Sequence, residues 1–193
     1  MPRECAWCLV VISMVGLSAA PQPGKQDRTW KPYTNPQWGY CVSYPSRWFK
    51  GDAFDGAGMF VETGLKKYSK PLAEIDVGVV AADLAAAAHA APVSLGDDLE
   101  VHFDGLKRFE RAEAIEILEK RQMEMLGSSA LFTKDRYYDP QERATWVEEI
   151  IFMHHKGALY RLELECRDDQ LLRFEPVFQT FVSTFRLDCG AAQ

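Results

Sequence analysis

YCVSYPSRW, residues 40–48, predicts a short strand that ends at a proline and is followed by a large aromatic side chain. Residues 40–44 alternate as expected for a strand with one buried face, and Pro45 cannot donate a hydrogen bond to a neighbouring strand. No side chain in this stretch has evident catalytic chemistry. It therefore indicates a fold and not a reaction, with Trp48 as an anchor at the end of the strand.

The N-terminus predicts export. An apolar run at residues 6–17 lies between Arg3 and the small residues 18–20, which is the layout of a secretory signal peptide. The run is shorter than the roughly 20 apolar residues of a membrane span. We therefore expect a signal peptide at residues 1–20 and a flexible leader at 21–32. The protein would be secreted or periplasmic, without a membrane span after signal removal; the alternative is an uncleaved anchor.

Composition and charge exclude some partners. The chain has 193 residues, 47% hydrophobic and 26% charged, which suits one globular domain, expected at residues 33–188 with a tail at 189–193. A net charge of −6 provides no basic field for a phosphate backbone, so nucleic acid is not an expected partner.

The cysteines suggest neither catalysis nor a defined bridge. Cys5 and Cys8 lie inside the predicted signal peptide, which leaves an odd number of cysteines in the mature chain. Cys41 and Cys166 fall in predicted strands, where we expect them to be buried as small hydrophobic residues. Cys189 lies in the tail and is either free or paired.

Periodicity and turn residues predict an antiparallel sheet with helices. A serine at residue 94 and an aspartate three positions later resemble a helix-capping box, and an alanine-rich run favours another short helix. Short Gly- and Pro-containing turns separate four consecutive strands, so these strands should be antiparallel neighbours. The first of the four could also be helical by propensity. The predicted strands are residues 40–44, 57–62, 74–80, 114–125, 129–138, 144–155 and 158–167; the predicted helices are 81–91 and 94–109.

The last two predicted strands form a hairpin with one mixed face. With Lys156 and Gly157 as the turn, His155 pairs with Ala158 and one face of the hairpin is mostly apolar. The opposite face is the predicted binding surface, although a helix covering it is the plainer interpretation. Its candidate binding residues are Trp146, Glu148, Phe152, His154, Arg161, Glu163 and Glu165.

The C-terminal segment carries a phenylalanine stripe at spacings of three and four, which is typical of a helix that packs on the core. Phe174, Phe178, Phe181 and Phe185 belong to this stripe. Pro176 falls inside the pattern, so we expect a short turn up to Phe174 and a main helix that starts near Pro176.

The order of these elements resembles the PsbP-like superfamily. The motifs that carry the resemblance are YPSRW at residues 44–48, a central helix that ends near Lys107, the run of antiparallel strands, and a terminal helix that closes in FRL at 185–187. The family includes the photosystem II extrinsic protein and bacterial DcrB-type envelope proteins. The resemblance covers about residues 33–187. It implies an α+β fold, an α/β/α sandwich with a mostly antiparallel sheet, and action by binding other proteins, without shared catalytic residues.

We therefore expect an exported, non-catalytic binding or scaffold domain with an unknown protein partner and no cofactor. The alternative is a metal or small-ligand carrier, for which His154 and His155 are the local signal. Adjacent strand residues point to opposite faces, so these two histidines cannot hold one ion and no metal ligands are predicted. A third interpretation is a hydrolase-type enzyme in which Glu148 or Glu163 works with His154, but no catalytic motif supports it.

Overall fold

The computed structural model describes residues 29–53, 57–63, 71–81 and 94–189. The nine strands of this part of the chain are β1 Trp30–Asn35, β2 Tyr40–Pro45, β3 Phe49–Asp52, β4 Met59–Glu62, β5 Ala73–Ala81, β6 Glu113–Met125, β7 Ser128–Asp139, β8 Ala144–His155 and β9 Ala158–Arg167. The helices are α1 Leu95–Gly105, which continues into a π-helical turn Leu106–Glu110, and α2 Leu171–Thr184, which follows a 3₁₀ turn Asp168–Gln170.

Seven strands form one antiparallel sheet in the order β3-β4-β5-β9-β8-β7-β6, and β1 pairs with β2 in a separate hairpin. Helix α1 packs on one face of the large sheet. Helix α2 and the β1–β2 hairpin pack on the other face. This arrangement confirms the predicted α+β sandwich, in which helices flank a central antiparallel sheet.

The predicted strands are present within one or two residues of their expected bounds, including β6, whose sequence also suited a helix. The β8–β9 register is as predicted, with His155 opposite Ala158 and Val147 opposite Cys166. Two strands, β1 and β3, were not predicted. β1 begins at Trp30, inside the segment predicted as a leader, because it has β2 as a pairing partner. β3 follows Trp48 directly and pairs with β4.

The sequence explains why each helix is stable. Ser94 and Asp97 form a capping box, in which each side chain accepts a hydrogen bond from the backbone N–H of the other residue. Helix α2 starts at Leu171, so the prediction of a main helix beginning near Pro176 was wrong. Pro176 is accommodated inside the helix as its sixth residue, where one missing backbone hydrogen bond is outweighed by packing of the phenylalanine stripe.

Two hydrophobic cores lie on the two faces of the sheet. Below α2, side chains from β2, β4, β5, β8 and β9 surround Phe174, Phe178 and Phe181. Below α1, Leu99 and Phe103 pack against apolar side chains of β7 and β8. Each face of the β8–β9 hairpin is therefore covered by a helix.

The segment 40–48 is joined to the C-terminal end of the domain. Tyr40 is fully buried and its ring stacks on Phe185 at 5.7 Å between centroids. The Cys41 N–H donates to the Arg186 carbonyl at 2.9 Å, and the Arg186 N–H donates to the Cys41 carbonyl at 2.8 Å. Trp48 packs edge-on against Phe174, as expected for an anchor at the rim. The strand and the terminal helix thus depend on each other.

Cys41 forms a disulfide with Cys189. The expectation that Cys41 is a buried free residue was wrong, because the segment after α2 turns back along β2 and brings Cys189 to it. Cys166 is free and fully buried, as expected. Burial raises the pKa of its thiol to about 12, so it stays protonated.

Some predictions fall outside the described residues: the signal peptide, most of the leader, and all of the alanine-rich helix except Ala81, which belongs to β5. Within the described residues, no helix has both the length and the apolar character that crossing a bilayer requires.

Loss of the disulfide should destabilise the domain. We expect Cys189→Ser to lower the free energy of unfolding by about 2–5 kcal/mol, because the bond links residues 148 positions apart and restricts the unfolded chain. Urea denaturation measures this, and wild-type protein in a phosphine reductant should match the variant. Equal stability of variant and oxidised wild type, or no linked Cys41–Cys189 peptide in a non-reduced digest, would contradict the assignment.

Shortening an apolar side chain of α2 should lower the free energy of unfolding more when that side chain is more deeply buried. Phe181 is fully buried, so Phe181→Ala should cost about 3–5 kcal/mol of stability. Leu172 lies in the same helix but is 89% exposed, and Leu172→Ala should change stability by no more than about 0.5 kcal/mol. Denaturation of both variants gives the comparison; similar losses would mean that α2 does not pack as described.

Candidate functional site

A row of acidic residues crosses the sheet on the face that α1 covers. Asp135 on β7 is opposite Glu148 on β8, which is opposite Glu165 on β9, which is opposite Glu74 on β5. Like charges directly opposite one another destabilise a sheet. The register is held by the other face, where β8 and β9 present buried apolar side chains to α2; a slip by one residue would replace these side chains with the acidic ones.

Helix α1 places a histidine over this row. Leu99 and Phe103 bury the helix against the sheet, and His102 on the same side reaches Glu148. The distance from His102 Nε2 to Glu148 Oε2 is 2.8 Å, and the two side chains are 8% and 2% exposed. Burial lowers the pKa of His102. A neutral imidazole on a buried carboxyl group is therefore the central contact of this layer.

A second histidine fixes the start of the same helix. His154 Nε2 lies 3.0 Å from Asp98 Oδ2, with the histidine side chain 44% exposed. His155 packs against Tyr160 on the other face of the hairpin. The two histidines thus lie on opposite faces, as predicted, and do not form one site.

Arg161 brings a positive charge to the acidic layer. Its Nε lies 2.9 Å from Glu163 Oε2, and its Nη2 lies 3.6 Å from Asp76 Oδ2. The negative charge of Glu163 raises the pKa of Arg161 further. Glu163 is 6% exposed, so Arg161 is a structural ion-pair partner of the interior.

The carboxyl groups exceed the cations in this layer. Burial raises the pKa of Asp135 to about 7, and it raises the pKa of Glu148 well above its ordinary value, with the charges of Glu163 and Asp135 adding to the effect. Burial likewise raises the pKa of Asp76. Asp135 is fully buried, and neither of its oxygens has a hydrogen-bond partner. Such a layer needs protons or a further cation to be neutral.

The end of the row is closed by a tyrosine. The Tyr137 hydroxyl donates to Glu165 at 2.5 Å and lies 3.3 Å from Glu110, in the π-helical turn after α1. Tyr137 itself is fully buried. The turn that follows α1 is thereby tied to β7 and β9, so both ends of the helix are fixed over the acidic residues.

The predicted binding residues do share one face, but it is not an open surface. Trp146, Glu148, Phe152 and Glu163 are at most 6% exposed, because the apolar side chains among them pack against α1. The idea of an exposed docking face is therefore corrected to an interior layer. The partly exposed members are Arg161, Glu165 and His154.

Burial also bears on the alternative interpretations. Glu148 and Glu163 are out of reach of a substrate in solution, at 1% and 6% exposure. His102 and Asp135 were not among the candidate residues predicted from the sequence. The alternation of residues 131–137 within the predicted strand places Asp135 on the same side as Tyr137. This alternation is the sequence feature that could have identified Asp135 as a residue of the layer.

Three side chains of this layer can hold a metal ion. His102, Glu148 and Glu163 each offer one ligand atom, and these atoms all lie within 4.8 Å of one another.

On the opposite face of the sheet, a cleft of about 330 Å³ lies between β6 and α2. Its lysine, Lys134, is already paired with Glu149 at 2.6 Å and Glu175 at 3.1 Å. The layer beneath α1 is therefore the candidate functional site.

Stability should depend on pH through Asp135. Its pKa is about 7 in the folded protein against 3.8 for an ordinary aspartate, so between these values the folded state holds a proton that the unfolded state has lost. The free energy of unfolding should therefore fall as pH rises through this window. Urea denaturation in EDTA at a series of pH values measures the slope.

Two variants make the pH experiment specific. Asp135→Asn should reduce the slope, because the amide does not titrate. Asp52→Asn is the control, since Asp52 is exposed at the Lys50 contact and its pKa is lowered. An unchanged slope in Asp135→Asn would show that Asp135 does not hold the proton.

No family model and no curated protein sequence matches the chain. Solved structures with a similar fold include two that cover most of this chain. Cyanobacterial PsbP from Synechocystis sp. PCC 6803 has a TM-score of 0.56 and 14% identity, covering 89% of this chain and 98% of that one. LpqN of Mycobacterium tuberculosis, described as involved in cell envelope biogenesis, has a TM-score of 0.50 and 13% identity, covering 83% and 91%. At these identities the likeness shows a shared fold.

Proposed function

Because the chain has the PsbP-like fold that its ordered motifs predict, we propose that it is an exported, non-catalytic binding domain. It works in the cell envelope or outside the cell through contacts with another protein. The observation that carries the proposal is the likeness to LpqN, an envelope-biogenesis protein, over 91% of that chain. The signal-like residues 1–20 support the same compartment.

The partner surface must lie outside the layer beneath α1, which is closed. Phe109 and Leu172 are 84% and 89% exposed, the two highest values among the large apolar side chains of the described residues. Their neighbours Glu110 and Asp168 contact Tyr137 and Arg136, consecutive residues of β7. Phe109 and Leu172 therefore lie near the same end of the sheet, Phe109 on the α1 side and Leu172 on the α2 side, and this end is the partner surface that we propose.

Capture from the envelope fraction of the source cells tests this surface. Full-length tagged protein should retain a partner, and the double variant Phe109→Ser/Leu172→Ser should lose it with its melting temperature nearly unchanged, because both side chains are exposed. Val101→Ser is the matched control, since Val101 is also an exposed apolar side chain, 55% exposed in the middle of α1. Equal capture by all three proteins would contradict the surface.

Export is tested separately. Cell fractionation and the intact mass of the secreted or envelope-associated protein should show loss of about the first 20 residues, as expected for a cleaved signal. Full-length protein confined to the cytoplasm would contradict an exported function. This result does not depend on finding a partner.

A further inference from the structure

We propose that the layer beneath α1 holds one first-row transition-metal dication, with His102, Glu148 and Glu163 as its protein ligands. This inference is independent of the proposed function. It concerns an interior site, whereas the proposed partner surface lies at one end of the sheet.

The geometry brings a nitrogen and two carboxylate ligands together from three elements. His102 comes from α1, Glu148 from β8 and Glu163 from β9, and their ligand atoms lie within 4.8 Å of one another. Tetrahedral bonds of about 2.0–2.2 Å to one ion place its ligand atoms about 3.3–3.6 Å apart, so an ion would draw the three side chains closer together than they lie in this structure. Small side-chain rotations are therefore enough to close the site. Each carboxylate has two oxygens, so Glu163 can bind an ion and still face Arg161.

Asp135 provides an independent indication that a cation fits this layer. It is fully buried, no nitrogen donor reaches its oxygens, and the group that does approach them is another carboxyl, that of Glu148, which lies directly opposite in the β7–β8 ladder. Its charge is close enough to Glu148 to raise the pKa of that group. A buried carboxyl in this state lacks a partner that an ion bound at Glu148 would supply.

The charges of the layer favour the same conclusion. Asp76, Asp135, Glu148 and Glu163 face Arg161 and His102, so four carboxyl groups share one permanent positive charge. Buried charges are stable when they are paired or coordinate a metal. A dication would allow two more of these carboxyl groups to ionise without leaving net charge in the interior.

The ligand types select the class of metal. Calcium and magnesium prefer oxygen ligands alone, whereas imidazole favours zinc and its neighbours in the first transition row. One imidazole with two carboxylates is a nitrogen–oxygen set that suits Zn²⁺. Burial already favours neutral His102, which is the form that binds a metal.

Titration of full-length, EDTA-treated protein with zinc chloride tests the site. Calorimetry and native mass spectrometry should show one ion bound at this site, with calcium chloride giving no comparable binding. Glu148→Gln and Glu163→Gln should each weaken zinc binding at least tenfold, as expected for loss of a ligand. Glutamine resembles the neutral carboxyl that burial already favours at position 148, so that variant should fold.

Glu149→Gln is the matched control. Glu149 is the next residue of β8, is 3% exposed and faces the opposite side of the sheet, where it pairs with Lys134. It should leave zinc affinity unchanged. Equal zinc affinity in wild type and both Glu148→Gln and Glu163→Gln would overturn the proposal, as would the absence of stoichiometric zinc in folded wild-type protein.

Hydrogen exchange supplies a second readout. Since α1 covers the ligands, a bound ion links the helix to β8 and β9 and should slow amide exchange around Leu99 and Phe103. X-ray absorption at the zinc edge should show mixed nitrogen and oxygen ligands without sulfur. Zinc-independent exchange in α1, or a sulfur-containing shell, would place the ion elsewhere.

Discussion

Burial of acidic side chains beneath α1 is the constraint on which this structure depends. The sheet presents Asp135, Glu148 and Glu163 to a helix whose Leu99 and Phe103 exclude water. Isolated charges in such a place cost far more than an apolar contact returns. The helix can therefore close only if the carboxyl groups are protonated, paired with Arg161 or His102, or bound to a cation. Stability and the candidate site are two consequences of one arrangement.

The other face of the sheet makes that arrangement possible. The buried apolar residues of β8 and β9 fix the register, and α2 presses its phenylalanine stripe against them. The segment 40–48 then secures α2 through Tyr40, Cys41 and Trp48. The apolar core between the sheet and α2 thus fixes the strand register, and this register holds an unfavourable set of charges in place beneath α1. Because strongly perturbed pKa values cluster at functional sites, these buried carboxyl groups mark a candidate site.

The sequence alone predicted the strands of the sheet but did not predict which residues form the candidate site. Alternation and short turns predicted β6–β9 and the His155–Ala158 pairing, because one-sided burial leaves a period of two. The pairing of Cys41 with Cys189 and the β1 and β3 strands depend on contacts distant in sequence, which periodicity does not reveal. The seven candidate residues do share one face, and the plainer interpretation of that face, a covering helix, is the one that α1 fulfils. His102 joins Glu148 across 46 residues, so no local motif marks the pair.

Infrared difference spectroscopy tests the central claim most directly, since it reports the protonation of buried carboxyl groups. At neutral pH, metal-free protein should show the C=O stretch of protonated carboxyls, with the small isotope shift in D₂O that such groups give. Addition of one equivalent of zinc should remove part of that band and produce carboxylate bands, and Glu148→Gln should lose the response. A spectrum with no protonated carboxyl band and no change on zinc addition would contradict both the charge balance and the metal site.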